Sequence, residues 1–180
     1  FQDKLFKKNY RSIVSTKMCS LSFRDFINIS GLKLHVTDVG DKNVIEKMKK
    51  TKSPLGGEPS GHIVFSENGF CGDGLLTALI LINIAHLNKL KISYFSENFF
   101  KKNPQELVNI KLKCEPKKVL KNKQLQNFIS QTLLTNPEVD ILLRKSGTEN
   151  LLRVMVQSKS QVIVNKIKTK ITNLITKIDG

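Results

Sequence analysis

Residues 139–156 read VDILLRKSGTENLLRVMV, two apolar runs on either side of a polar segment that contains a glycine. The flanking runs, Val139 to Leu143 and Leu151 to Val156, consist largely of aliphatic and β-branched residues, which predicts two strands. Residues 144–150 are then the short loop that connects these strands.

The residue types in this loop are those of an anion-binding site. Ser146 and Thr148 offer hydroxyl groups, Gly147 lets backbone N–H groups approach a ligand, and Arg144 offers a planar charged fork. With Arg153 in the next strand, two of the four arginines of the chain lie close together. The pattern favours a site for a phosphate dianion, and a hairpin turn with ordinary surface charge is the alternative.

The sequence around this segment predicts a small α+β domain over residues 96–180. Apolar and polar residues alternate over 108–112, which is the period of a strand. Apolar residues recur at helical spacing over 125–133 and again over 163–178, which predicts two amphipathic helices.

The first half of the chain predicts another α/β unit, residues 1–95. We expect strands and helices in alternation, the strands at 12–16, 32–36 and 63–65 and the helices at 21–29, 43–50 and 74–90. The density of proline and glycine over residues 54–61 predicts an irregular loop. The helix that follows Asp73, its expected N-cap, is apolar nearly all round, so we expect it to be buried between layers.

A second polar segment, GGEPSGH at residues 56–62, lies in that proline- and glycine-rich region. In an extended loop the side chains of Glu58, Ser60 and His62 would point to one side and could bind the hydroxyl groups of one polyol. A tight turn in which these groups bond only to the backbone is an equally weighted alternative.

The charge of the chain favours anionic partners. The 180 residues include 30 Lys and Arg against 15 Asp and Glu, a formal net charge of +15. Nucleic-acid-binding proteins usually combine arginine forks with aromatic stacking platforms, and the lysine runs here show neither. We therefore expect lysine-rich solvated surfaces and no nucleic-acid partner.

Cysteine and histidine patterns give no sign of a disulfide framework or a metal site, and they favour reduced thiols in a cytoplasmic protein. The first residues, FQDK, show no signal sequence, and the missing initiator methionine indicates a trimmed or partial chain. The longest apolar run, Leu75 to Leu87, is too short to span a bilayer and contains Asn83, so we expect no membrane insertion.

The order of the motifs resembles the α-D-phosphohexomutase superfamily, and within it the bacterial phosphoglucosamine mutases. The matching segments are, in chain order, Thr37 to Val44, Gly56 to His62, Gly72 to Gly74, Pro104 to Asn109 and Arg144 to Val156. Members of the superfamily have four domains, and the likeness covers the third and fourth over nearly the whole chain. It implies a mixed α/β domain followed by a small antiparallel sheet with helices.

The resemblance also implies roles for individual residues. The sugar would be bound by Glu58, Ser60 and His62, with Asp41 and Lys42 on the substrate side. The residues that would bind the phosphate that does not react all belong to one segment: Arg144, Ser146, Gly147, Thr148 and Arg153.

The implied reaction interconverts glucosamine 6-phosphate and glucosamine 1-phosphate through a bisphosphorylated sugar, with Mg²⁺ as cofactor. The phosphoserine and magnesium loops of the family have no counterpart here, so we assign no catalytic and no metal-binding residue. We expect the chain alone to be inactive and the missing N-terminal half to be its partner. A non-catalytic phosphosugar-binding remnant is the main alternative, and a basic nucleic-acid-binding module is a weaker one.

Two positions depart from the family pattern. Lys42 stands where the family usually has arginine, and an ammonium group lacks the bidentate fork. Asn150 replaces the usual proline of the phosphate loop, and we expect that change to loosen the loop.

Overall fold

The computed structural model describes residues 11–180, which form two compact units, one up to Lys102 and one from Asn103 to Gly180. The expected fold class is confirmed, since a mixed α/β unit precedes a small antiparallel sheet with helices. The division falls after residue 102, where the sequence predicted a boundary near residue 95. The FQDK tetrapeptide and the start of the expected first domain lie outside the described residues.

The first unit alternates short strands and helices. Its elements are β1 (Ser12–Thr16), α1 (Leu21–Ile29), β2 (Lys33–Thr37), α2 (Asp41–Thr51), β3 (Leu55–Gly57), β4 (Ile63–Phe65), α3 (Gly74–Leu87) and α4 (Ser93–Asn98). The sheet order is β2-β1-β3-β4; β1 pairs in parallel with β2 and β3, and β4 is antiparallel to β3. Three parallel strands therefore end at the same edge of the sheet.

Helix α2 packs closely on this sheet. The core there consists of four buried residues: Val14, Val44, Met48 and Val64. The close approach depends on Gly56, because a Cβ atom at that position would lie 2.8 Å from Val44 Cγ1. The prediction of an irregular loop over 54–61 is therefore partly wrong, since the first glycines of that region belong to β3 and leave room for a helix.

An aromatic cluster attaches the end of the first unit to α1. The ring of Phe26 lies 5.6 Å from that of Phe99 and 5.7 Å from that of Phe100, and Phe23 lies 5.6 Å from Phe100. These contacts place the residues after α4 in the first unit, which explains the later division. No amphipathic pattern predicts α4, a helix of 6 residues.

The prediction that α3 is buried between layers is wrong. Leu75 is 74% exposed and Leu79 56% exposed, and Ala85 is the buried residue of this helix. A groove of about 480 Å³ lies between the inner side of α3, including Ile80 and Ile84, and the sheet. One side of the helix therefore lines an apolar groove, and its other sides are exposed within the described part of the chain. The expected N-cap is correct, since the Asp73 side chain accepts a hydrogen bond from the N–H of Leu76.

The second unit is a three-stranded sheet with helices. Its elements are β5 (Gln105–Lys111), α5 (Pro116–Leu120), α6 (Lys123–Thr135), β6 (Asp140–Lys145), β7 (Leu151–Gln157) and α7 (Gln161–Asp179). The antiparallel order is β5-β7-β6. The predicted strands and long helices are all present, and α5 was not predicted.

Residues on one face of this sheet form the core with the helices. The buried core residues of the central strand and the helices include Leu152, Val154, Val156, Val164, Ile171 and Ile175. Because side chains alternate along a strand, Arg153 and Met155 lie on the opposite face. The 144–153 segment is thereby placed with its arginines away from the helices.

The end of α7 is fixed to the chain that follows β5. The Asp179 carboxylate accepts hydrogen bonds from the backbone N–H groups of Cys114, at 2.9 Å, and Lys113, at 2.7 Å. These two bonds lower the pKa of Asp179. The same carboxylate, by accepting a hydrogen bond from the thiol, raises the pKa of Cys114.

Candidate functional site

The sugar-binding segment predicted from the sequence forms a tight turn between β3 and β4. The N–H of Glu58 donates to the carbonyl of His62 at 2.9 Å, and the N–H of Gly61 donates to the carbonyl of Glu58 at 3.0 Å. Gly61 has a φ of +101°, which favours glycine. The predicted extended conformation is wrong, and the turn alternative describes the backbone correctly.

The turn nevertheless brings the three predicted side chains together. The Nδ1 atom of His62 lies 3.4 Å from Ser60 Oγ and 3.8 Å from Glu58 Oε2. The side chain of Glu58 is 8% exposed, whereas that of His62 is 59% exposed. A carboxylate thus lies beneath a hydroxyl and an imidazole that are open to solvent, a set of donors and acceptors that suits a polyol.

The start of α2 adjoins this turn. The N–H of Gly40, the residue before the helix, donates to Glu58 Oε1 at 2.8 Å. Asp41 and Lys42 follow directly, are exposed, and are joined by a hydrogen bond from the N–H of Lys42 to Asp41 Oδ1 at 2.7 Å. The two substrate-side candidates are therefore held near the turn through their backbone.

Two charged residues that were not predicted as site residues lie at the same edge of the sheet. Lys17 follows β1, Asp38 follows β2, and their side chains form an ion pair with an Nζ–Oδ1 distance of 2.7 Å. Ligands of open α/β sheets bind outside the carboxyl ends of parallel strands. Lys17 directly follows the predicted strand 12–16 and Asp38 lies two residues after the predicted strand 32–36, and these positions were the signal that could have identified both residues.

The predicted phosphate loop joins β6 to β7 and is held by its own hydrogen bonds. The N–H of Ser146 donates to the carbonyl of Leu151 at 3.0 Å. The buried Ser146 Oγ accepts from the N–H of Thr148 at 3.4 Å and from that of Glu149 at 3.3 Å. Ser146 therefore shapes the loop and keeps its O–H as a donor, while Gly147 and Thr148 are exposed.

Asn150 ties this loop to the chain after β5. Its side-chain amide donates to the carbonyl of Leu112 at 2.8 Å and to that of Cys114 at 3.3 Å, and its own carbonyl accepts from the N–H of Leu112. The sequence-based expectation that asparagine would loosen the loop is therefore wrong for these contacts, because the side-chain amide donates two hydrogen bonds that a proline could not make.

The two arginines of the segment lie directly opposite each other. In the register of β6 and β7, Arg144 pairs with Arg153, and Asn109 of β5 pairs with Arg153 on its other side. Cross-strand partners point to the same face of a sheet, and like charges at facing positions are destabilising. In the part of the chain that the structure describes, the buried Nε of Arg153 has no hydrogen-bond partner. The arrangement is suited to an anion.

Two further findings concern metals and membranes. Within residues 11–180 no three His, Cys, Asp or Glu side chains come together as a metal site. None of the helices in this range combines the length and the apolar character needed to cross a membrane. A magnesium site of the phosphohexomutase type therefore has no fitting residues in the described part of the chain.

Comparisons with known proteins identify the two units. Residues 1–103 match the family described as phosphoglucomutase/phosphomannomutase, alpha/beta/alpha domain III, and residues 107–174 match phosphoglucomutase/phosphomannomutase, C-terminal domain. The phosphoglucosamine mutase of Prochlorococcus marinus subsp. pastoris is 38% identical over 98% of this chain and 40% of its own length. That of Anoxybacillus flavithermus is 38% identical over 92% of this chain and 37% of its own length.

Solved structures agree on the fold. The Aspergillus fumigatus N-acetylphosphoglucosamine mutase in complex with GlcNAc-6P and magnesium matches with a TM-score of 0.77 at 18% identity, over 94% of this chain and 39% of that protein. The chain thus spans about two fifths of the length of these relatives.

Proposed function

We propose, since the chain belongs to the phosphoglucomutase/phosphomannomutase family, that it provides substrate-binding parts of a phosphoglucosamine mutase. Such an enzyme interconverts glucosamine 6-phosphate and glucosamine 1-phosphate through a bisphosphorylated sugar. The observation that carries the proposal is the facing pair of Arg144 and Arg153 beside the Ser-Gly-Thr loop.

The phosphate group is the part of the substrate that this pair would bind. A dianion between two guanidinium groups would offset the repulsion that the register of β6 and β7 imposes. Arg144 would form charge-assisted hydrogen bonds to phosphate oxygens. The backbone N–H of Gly147 and the Thr148 hydroxyl would complete the set of donors. A Cβ atom at Gly147 would meet nothing within 4 Å, so the space beside this backbone is open to a ligand.

The sugar ring is the part that the turn of the first unit would bind. Ser60 and His62 are exposed and adjacent, so both can reach sugar hydroxyls. The Glu58 carboxylate beneath them supplies an acceptor and negative charge beside the imidazole. Asp41 and Lys42 would contact the same ligand from the start of α2.

The role proposed for this chain is to bind and orient, not to transfer the phosphoryl group. No residue of this chain is assigned as nucleophile. Magnesium, which the family implies, finds no fitting group of ligands among residues 11–180, so no step is assigned to it here. The sequence that the relatives have and this chain lacks would supply the chemical step, either in the same protein or in a partner. None of the three cysteines, which all lie in the described residues, forms a disulfide, and this favours the cytoplasm as its location.

Substitution of Arg144 tests the phosphate assignment. A hydrogen bond to a charged group contributes about 1.5–3 kcal/mol, so Arg144→Ala should weaken binding of glucosamine 6-phosphate by about tenfold to over a hundredfold. Arg144→Lys should recover part of the loss, since the ammonium keeps the charge without the fork. Isothermal titration at two salt concentrations measures both effects.

Lys166→Ala is the matched control, because it removes one exposed positive charge from α7 in the same unit. The affinity of Lys166→Ala for glucosamine 6-phosphate should stay close to that of the unmodified chain. If all three variants weaken equally and only in proportion to salt, binding reflects the net charge and the phosphate assignment is wrong.

A further inference from the structure

The Glu58 carboxylate faces two parts of the candidate site at once. One oxygen, Oε1, accepts the hydrogen bond from the N–H of Gly40 at 2.8 Å. The other, Oε2, lies 3.8 Å from Nδ1 of His62. The side chain is 8% exposed, so its position is set by these neighbours more than by solvent.

The bond to Gly40 acts where a helix needs a cap. In a capping box, a glutamate of the first turn accepts from the backbone N–H of the N-cap residue. Gly40 occupies the N-cap position of α2 and has no side chain to offer, and its φ of +127° fits glycine. Glu58 performs this function from 18 residues away, on the strand side of the unit.

We infer that Glu58 is a positioning residue that fixes the start of α2 relative to the sugar-binding turn. Its carboxylate sets where Asp41 and Lys42 lie with respect to Ser60 and His62. Asn43 assists on the helix side, because its side-chain amide donates to the carbonyl of Val39 at 2.9 Å. That this positioning serves phosphosugar binding rests on the proposed function, whereas the hydrogen bond between Gly40 and Glu58 does not.

Amide hydrogen exchange of Gly40, measured by NMR on the complete chain without ligand, tests the contact. In Glu58→Ala the Gly40 amide should exchange at least about tenfold faster, since a bond to a charged acceptor is lost. In Glu58→Gln the side-chain carbonyl can still accept, so exchange should stay much closer to that of the unmodified chain. Ser60→Ala, in the same turn, should leave it unchanged.

Amide exchange in the interior of α2 distinguishes positioning of the helix start from a general effect on stability. The Met48 amide should keep its exchange rate in Glu58→Ala, because only the start of the helix is released. An unchanged Gly40 amide in Glu58→Ala would overturn the inference. Equal acceleration of Gly40, Met48 and the remaining amides would also overturn it, since the residue would then serve overall stability only.

Addition of glucosamine 6-phosphate gives the second measurement. The Asp41 and Lys42 amides should shift in the unmodified chain and in Glu58→Gln, and the shifts should be lost in Glu58→Ala. If no amide responds to the ligand in the unmodified chain, the proposed function fails while the Gly40 exchange result still stands. If Glu58→Ala shows the same shifts as the unmodified chain, Glu58 does not position these residues.

Discussion

Single carboxylates of this chain act through backbone N–H groups at some distance in sequence. Glu58 does so at Gly40, and Asp179 does so at Lys113 and Cys114. In both cases one side chain joins two elements that the sequence separates. Substitution of such a carboxylate should therefore change a measurable property of the residues whose N–H groups it binds.

Asp179→Ala should make Cys114 more reactive towards iodoacetamide at neutral pH. The carboxylate raises the pKa of the Cys114 thiol, chiefly through their hydrogen bond, so less of the reactive thiolate is present in the unmodified chain. Loss of the carboxylate should increase the rate severalfold. Peptide mass spectrometry after timed alkylation measures the rate at each cysteine.

Cys71 is the internal control for this reaction. It is exposed and lies in the first unit, so its rate should not change. An unchanged rate at Cys114 in Asp179→Ala would contradict the assigned role of the hydrogen bond.

At the scale of elements, the contact between α2 and β3 depends on the space left at Gly56. Gly56→Ala should destabilise the first unit by about 1–3 kcal/mol, because an added methyl group overpacks against Val44 and Met48. Chemical denaturation followed by circular dichroism measures the change.

Gly74→Ala is the matched control at the start of α3. A Cβ atom there meets nothing within 4 Å, and alanine is the better helix former. Its stability should be unchanged or slightly higher. Equal destabilisation by both substitutions would show that the α2 contact is not what makes Gly56 sensitive.

Periodicity predicted the elements whose one face is buried. The strand Ser12–Thr16 and the helix Leu21–Ile29 have the predicted bounds, and the stripe of α7 forms core as expected. β3 could not be predicted in this way, because Leu-Gly-Gly lacks a strand pattern and is fixed by the helix that packs on it. The short helix α4 makes aromatic contacts, and the short helix α5 contacts two neighbouring helices. A local sequence pattern contains neither kind of contact.

The candidate site shows the same division. The donor and acceptor residues of the turn and of the phosphate loop could be recognised in the sequence, since they lie next to glycines in short segments. The bond from Gly40 to Glu58 could not be predicted, because it joins residues that only the fold brings together. The positions of Lys17 and Asp38 near strand ends could be predicted, but not their ion pair. The helical pattern of α3 showed its apolar character correctly but not which of its sides is covered.

At the scale of the whole molecule, the exposed side of α3 is an apolar surface. Leu75, Leu79 and Ile82 are at least half exposed there. Contiguous apolar patches promote association in solution. Leu75→Gln should therefore reduce concentration-dependent self-association in sedimentation velocity, with a stability change within about 0.5 kcal/mol, as expected for a surface position.

Val162→Gln is the comparison for a single exposed apolar residue. Val162 is 76% exposed on α7, in the other unit. This substitution should leave sedimentation unchanged. If both variants sediment alike, the α3 surface has no special part in association.

The proposed phosphate site, with Arg144 opposite Arg153, would link the folding equilibrium of the second unit to the anions around it. Facing like charges lower the stability of a sheet. An anion that binds only the folded unit adds RT ln(1 + [L]/Kd), which is about 2.7 kcal/mol at about one hundred times Kd. A melting temperature measured in phosphate buffer and one measured in an uncharged buffer would then describe two different ligation states. By the same linkage, the concentration of sugar phosphates in a cell would help to set the fraction of this protein that is folded and protected from proteolysis.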